Sequence, residues 1–190
     1  MTASSSSAIG ELPILRAAQS DRAAAVNSGS RATGKEAEKM TGTTLAPGVR
    51  PEHTRNVTRG ARRFLRASGF AVLAEFPLPT GRRADLVAVS ADGLIRIVEV
   101  KSSAADFRAD SKWLQYRAHC DLFYFAAPMD FPMDALPRDA GLIVADAHGA
   151  MLTRDAPAHK LAAATRRAML LRFGMLAAER LHAAVHRDEL

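Results

Sequence analysis

Cysteine is nearly absent from the sequence, since Cys120 is the single example in 190 residues. This scarcity excludes a disulfide framework and a cysteine-based zinc site within one chain. The six histidines are scattered and lack the tight spacing of a metal-binding motif. No apolar run reaches the roughly 18 residues of a membrane-spanning helix, and no apolar core of a secretory signal follows the N-terminus. We therefore expect a cytoplasmic protein without a membrane partner.

Acidic residues are outnumbered by basic ones, 20 to 26, which gives a net charge of +6 and a pI of about 10.1. Phosphates attract lysine and arginine at long range, so this surplus indicates either a polyanionic partner or simply a basic enzyme. Apolar residues make up 48% of the chain, enough to bury one folded core.

The chain divides by composition near residue 50. Residues 1–50 are rich in Ser, Ala, Gly and Thr and show no sustained hydrophobic period, which is typical of a segment that cannot offset its ordering entropy. We predict a disordered leader over 1–50 and one folded domain over 51–190.

The hydrophobic periods of the second part predict alternating helices and strands. A helix is expected over 53–68, where Val57, Ala61 and Leu65 share an apolar stripe and arginines cover the rest. Strands are expected over 70–76, 82–90, 94–101, 121–127 and 141–145, and further helices over 106–119 and 159–185. The order predicts an α/β fold with a mixed β-sheet flanked by helices.

Two acidic residues stand out because they lie in otherwise apolar strands. If Ala91-Asp92-Gly93 is a three-residue hairpin loop, Asp85 lies directly across from Glu99, where Cβ atoms are about 4.5–5.5 Å apart. Two carboxylates so placed repel each other unless a cation lies between them. Lys101 offers one cation and a divalent metal offers a better one.

A hard ion with oxygen ligands, Mg²⁺ or Mn²⁺, suits such a carboxylate pair. It would polarise a phosphodiester and lower the pKa of a bound water, and Lys101 would orient that water or neutralise charge. A cross-strand ion pair on an exposed sheet face is the other interpretation.

The arrangement of Asp85 and Glu99-Val100-Lys101 resembles the PD-(D/E)XK nuclease superfamily, whose restriction-endonuclease-like fold has its metal-binding hairpin here. The stretch containing Asp106-Phe107, Lys112-Trp113 and 120–126 is similar to the MmcB family of bacterial DNA-repair proteins. The similarity covers roughly residues 53–150.

The resemblance implies a metal-dependent DNA endonuclease of bacterial DNA repair, acting at the nucleoid, with DNA and other repair proteins as partners. It implies metal ligation by Asp85, Glu99 and the Val100 carbonyl, with Lys101 catalytic. It also implies an acidic ligand from the first helix, but residues 53–68 contain no Asp or Glu. Glu52 or Glu75 is the expected substitute.

Several further side chains are candidates for the reaction or for nucleic-acid binding. Gln115 and Tyr116 share a helix face with Lys112, which the crossover from the Glu99 strand could bring over the site. Gln115 is predicted to assist catalysis. Nucleic-acid contacts are predicted for Arg59, Arg62, Arg63, Arg66, Lys112 and Tyr116.

The sequence leaves a second class of function open. Without the helix acid, the domain could be a degenerate nuclease fold that binds DNA or a repair protein without cutting. An RNA-directed nuclease is a weaker third hypothesis.

Overall fold

The first helix forms because its apolar residues recur with the helical period. The computed structural model describes residues 49–109 and 113–186, and α1 spans Val49–Ala67. Val57, Ala61 and Leu65 are all buried, as the sequence predicts. Gly69 ends the helix with φ +85°, and the Phe70 N–H donates to the Leu65 carbonyl. A left-handed residue of this kind is commonly a glycine because it lacks Cβ.

Six strands form one mixed sheet in the order β1-β2-β3-β4-β5-β6. The β1–β2, β2–β3 and β5–β6 pairs are antiparallel, whereas β3–β4 and β4–β5 are parallel. The strands are Ala71–Pro77, Arg83–Val89, Ile95–Val100, Leu122–Ala127, Gly141–Ala145 and Ala150–Arg154. This sheet, flanked by helices, confirms the predicted α/β class.

Three α-helices and one 3₁₀ helix complete the described elements. They are α2 at Ala104–Ala109, α3 at Leu114–Arg117, the 3₁₀ helix at Met133–Ala135 and α4 at Ala163–Val185. None of the described helices is long and apolar enough to span a membrane.

The observed elements differ from the predicted ones in several places, beginning with α1, which starts at Val49 rather than at 53. The helix predicted over 106–119 is two short helices on either side of 110–112, which lie outside the described residues. The last helix begins at Ala163 rather than at 159, since Ala162 is still extended with ψ 140°. Strand β6 was not predicted, because Met151 and Leu152 are both exposed and leave no alternating pattern. The predicted leader over 1–50 lies almost wholly outside the described residues.

Each sheet face carries its own hydrophobic core. On one face, α1 packs its buried stripe against Leu86 and Val98. On the other face, Tyr116 of α3 and Met169 of α4 join a core that contains Ile97 and Phe125. Alternating residues of β3 therefore face opposite helix layers, and Glu99 is in phase with Ile97.

Gly60 brings α1 close to the turn between β5 and β6. A Cβ at this position would overlap the carbonyl oxygens of Asp146 and Gly149, whereas a Cβ at Gly174 of α4 would meet nothing within 4 Å. Close approach at Gly60 thus fixes the height of α1 over the sheet.

Gly60→Ala should destabilise the protein by about 1–3 kcal/mol, because the turn backbone must move to admit the methyl group. Gly174→Ala, the matched helical control, should stabilise it by about 0.5–1 kcal/mol. Urea unfolding of both variants measures the difference. Equal effects of the two substitutions would refute the close approach.

Candidate active site

The β2–β3 ladder ends where the two predicted carboxylates lie. The register pairs Leu86 with Val98 and Val87 with Ile97, which confirms the predicted hairpin alignment. At the next position, the backbone N–H groups donate to carboxylate side chains instead of to carbonyls of the opposite strand. The Asp85 N–H donates to Glu99 Oε1 at 3.2 Å, and the Val100 N–H donates to Asp85 Oδ2 at 2.8 Å. Each carboxylate is therefore held against the opposite strand.

Burial and neighbouring charges set the pKa of Asp85. Glu99 and Lys101 are 4% and 7% exposed. Burial raises the pKa of Asp85, while the Val100 N–H and the Lys101 charge oppose that rise. The Lys101 N–H donates to the Ala126 carbonyl at 2.9 Å, so β4 fixes the backbone that carries the lysine. The result is a buried cluster of two carboxylates and one lysine.

The raised pKa of Asp85 predicts a dependence of stability on pH in metal-free buffer. The folded state holds this proton more tightly than the unfolded state, so stability contributed by protonated Asp85 is present below pH 3.8 and lost as pH rises through the higher folded value. Wild type should lose stability relative to Asp85→Asn across that window. Urea unfolding with EDTA at stepped pH tests this, and a constant difference between the two proteins would count against it.

A groove of about 580 Å³ runs between α1 and the first two strands. Asp85 and Glu75 line it from the sheet side. Its α1 side is lined by two threonines and five arginines: Thr54, Thr58, Arg55, Arg59, Arg62, Arg63 and Arg66. The structure thus brings the four predicted phosphate-binding arginines of α1 into one groove with Asp85.

The positive charge of this groove is largely unneutralised. Helix α1 holds six arginines and one acidic residue, Glu52. Among described residues, Arg59 contacts Asn56, and Arg55, Arg62, Arg63 and Arg66 have no carboxylate within ion-pair distance. Such a surface attracts a phosphate backbone.

The three residues predicted to act from the crossover helix, Gln115, Tyr116 and Lys112, differ in where the structure places them. Gln115 is exposed and accepts a 2.6 Å hydrogen bond from Arg82 Nε–H. Tyr116 is 6% exposed, stacks on Phe123 and lies in the core. Its ring is therefore not presented to a nucleic acid, a correction that follows from its place on the buried face of α3. Lys112 lies outside the described residues.

The resemblance implies a third acidic metal ligand, and the described residues hold no preformed cluster that contains one. Within 49–109 and 113–186, no three His, Cys, Asp or Glu side chains are grouped to hold a metal ion. Glu52 is exposed in the first turn of α1. Glu75 lines the groove, but its carboxylate lies 2.5 Å from Arg83 Nη1. Sequence reasoning missed Arg83, although its position two residues before Asp85 puts both on one strand face.

The donor set of the pair fits one hard divalent cation. Asp85 lines the groove, and the Glu99 carboxylate lies next to it, accepting the hydrogen bond from the Asp85 N–H. One or two carboxylates, completed by phosphate oxygens and water, are what Mg²⁺ commonly uses in proteins. Asp85, Glu99 and the Val100 carbonyl would be its protein ligands.

The fold and this arrangement define a class: an α/β protein with a mixed six-stranded sheet and a carboxylate–lysine hairpin beside an arginine-lined groove. A family model described as DNA repair protein MmcB-like matches residues 41–188. The chain belongs to this MmcB-like DNA repair family, as predicted.

A solved structure supports the fold. The chain is similar to the "SPO1766 protein of unknown function from Silicibacter pomeroyi", with 40% identity and a TM-score of 0.68. The match covers 76% of this chain and 95% of that one. No curated protein gave a significant match.

Proposed function

We propose that the protein is a Mg²⁺- or Mn²⁺-dependent DNA endonuclease of the PD-(D/E)XK type that acts in DNA repair. The observation that carries this proposal is the shared groove: Asp85 and five α1 arginines line the same cavity. A DNA backbone bound by the arginines would pass next to Asp85, whose N–H donates to the Glu99 carboxylate. Acting on chromosomal DNA would place the protein at the nucleoid.

Each side chain has a role that its surroundings support. Asp85 and Glu99, with the Val100 carbonyl, would hold the divalent ion, which when bound supplies charge neutralisation and an acidified water. The arginines would position phosphates by charge-assisted hydrogen bonds. Lys101 is buried beside the carboxylates, where a fixed ammonium stabilises developing negative charge more effectively than one in water. Gln115 and Arg82 would stand at the edge of the site.

Lys101→Ala separates metal binding from chemistry. The variant should still bind Mn²⁺, and bind it at least as tightly, because a competing ammonium is gone. Cleavage should fall about 100- to 1000-fold, the usual cost of losing one group that stabilises transition-state charge. Calorimetric Mn²⁺ titration beside a plasmid-nicking assay measures both. Full nicking activity in Lys101→Ala would exclude it from the chemistry.

A second candidate function is favoured by the absence of a third grouped acid among the described residues. In this alternative, the domain binds DNA or a repair protein without cutting, and the buried cluster is structural. Asp85→Asn would then change stability alone, because the cluster would hold no metal ion and wild type would have no cleavage to lose. Wild type that nicks DNA with Mn²⁺ excludes this alternative.

A further inference from the structure

We propose that Arg83 and Glu75 form an exchangeable ion pair that couples DNA binding to completion of the metal centre. In the free protein, Arg83 holds Glu75. When DNA binds in the groove, Arg83 forms an ion pair with a phosphate instead of with Glu75. The released Glu75 carboxylate then becomes the third acidic ligand beside Asp85 and Glu99. This inference rests on the proposed function and adds a regulation of the same site.

The register places Glu75 beside Asp85. The flanking β1–β2 pairs are Ala74 with Leu86 and Phe76 with Ala84, so Glu75 stands across from Asp85 on the opposite side of β2 from Glu99. Glu75 and Asp85 also line the same groove. Three acidic residues therefore occupy neighbouring positions across β1, β2 and β3.

A local irregularity directs Glu75 towards the groove. It has φ +53° and is the one non-glycine residue with positive φ in the described segments. Irregular strand positions re-aim side chains next to active sites. Two features support the conformation: the next residue, Phe76, is fully buried, and Arg180 of α4 donates to the Ala74 and Glu75 carbonyls. The backbone is thus fixed while the Glu75 side chain can change partner.

The ion pair itself is exposed and replaceable. The side chains of Arg83 and Glu75 are 66% and 54% exposed, and exposed ion pairs are weak. A phosphate can accept two parallel hydrogen bonds from one guanidinium. Glu75, the ion-pair partner of Arg83, lines the groove, so the Arg83 guanidinium lies at the edge of that groove. DNA is therefore a stronger competitor for Arg83 than water or salt.

Calorimetric titration of the full chain with Mn²⁺ alone tests the exchange. Arg83→Gln should tighten Mn²⁺ binding about tenfold or more, the scale on which supporting residues change metal affinity. Glu75→Gln alone should have little effect, and the double variant should lose the gain. Arg82→Gln removes a neighbouring charge without freeing a carboxylate, so it measures the purely electrostatic part. A phosphorothioate duplex should tighten Mn²⁺ binding to wild type but not to Glu75→Gln.

The outcomes separate this inference from the proposed function. If the gain in Mn²⁺ affinity persists in the double variant, or if Arg82→Gln reproduces it, Arg83 acts on the metal site through its charge alone. Either result overturns the exchange. Wild type that nicks DNA while Arg83→Gln leaves Mn²⁺ affinity unchanged overturns the exchange and leaves the nuclease proposal standing. Mn²⁺ binding that appears only in Arg83→Gln and requires Glu75 supports the exchange. Absence of binding in every protein overturns both.

Discussion

Asp85→Asn should abolish divalent-metal binding and DNA cleavage together. The amide oxygen keeps the shape of the side chain but lacks the negative charge that retains a hard cation. The amide oxygen can still accept the hydrogen bond from the Val100 N–H, so the fold should survive. Cleavage should fall by more than the about 10- to 100-fold that loss of a supporting residue costs a metal site.

Asp134→Asn is the matched control, because Asp134 is an exposed aspartate in the 3₁₀ helix. It should leave both Mn²⁺ affinity and nicking at wild-type levels. Circular dichroism of each variant confirms folding. An Asp85→Asn protein that retains Mn²⁺ binding would move the metal site away from the hairpin.

Replacing Arg59, Arg62, Arg63 and Arg66 together with glutamine should nearly eliminate DNA binding at physiological salt. For duplex DNA, the slope of log affinity against log salt should become shallower by about 0.9 for each arginine that no longer binds a phosphate. Since Arg62, Arg63 and Arg66 have no carboxylate partner among described residues, their replacement should cost the fold little. Fluorescence anisotropy with a labelled duplex at several salt concentrations gives the slope.

Arg167→Gln on α4 is the control for that experiment, since Arg167 is exposed and lies outside the groove. Its slope should equal that of wild type. If the fourfold variant keeps the wild-type slope and Arg167→Gln reduces it, the DNA footprint belongs to α4.

The hairpin could be predicted because its determinants are local. The short connection at Asp92-Gly93 fixes the register, because the length of a hairpin loop decides which residues of the two strands lie opposite each other. The predicted opposition of Asp85 and Glu99 therefore agrees with the observed pairing of Leu86 with Val98. The buried apolar stripe of α1 could be predicted for the same reason, because it depends only on the helical period.

Features that depend on contacts between distant segments could not be predicted. The groove requires α1 to lie beside β1 and β2, and no spacing within α1 specifies that position. The ion pair of Glu75 with Arg83 and the support from Arg180 join residues of three elements. The burial of Tyr116 depends on which face of α3 meets Phe123. Strand β6 pairs only along one edge and is exposed, so its residues carry no strong signal.

The family resemblance and the chemistry were predicted from different features of the sequence. Membership in a DNA repair family follows from the whole sequence pattern and is confirmed by the match over residues 41–188. Metal dependence rests on two carboxylates and a lysine at one end of a hairpin, and it remains a proposal. The sequence left Glu52 and Glu75 open as the third acid, and the ion pair of Glu75 with Arg83 could not be predicted from either strand alone.

Mn²⁺-dependent nicking of supercoiled DNA by the full wild-type chain, with Asp85→Asn and an EDTA-treated sample in parallel, tests the central claim most directly. The account predicts nicked circles from wild type with Mn²⁺, and none from the variant or with EDTA. A folded wild type that binds DNA through the α1 arginines, takes up no Mn²⁺ by calorimetry and nicks no substrate would contradict it.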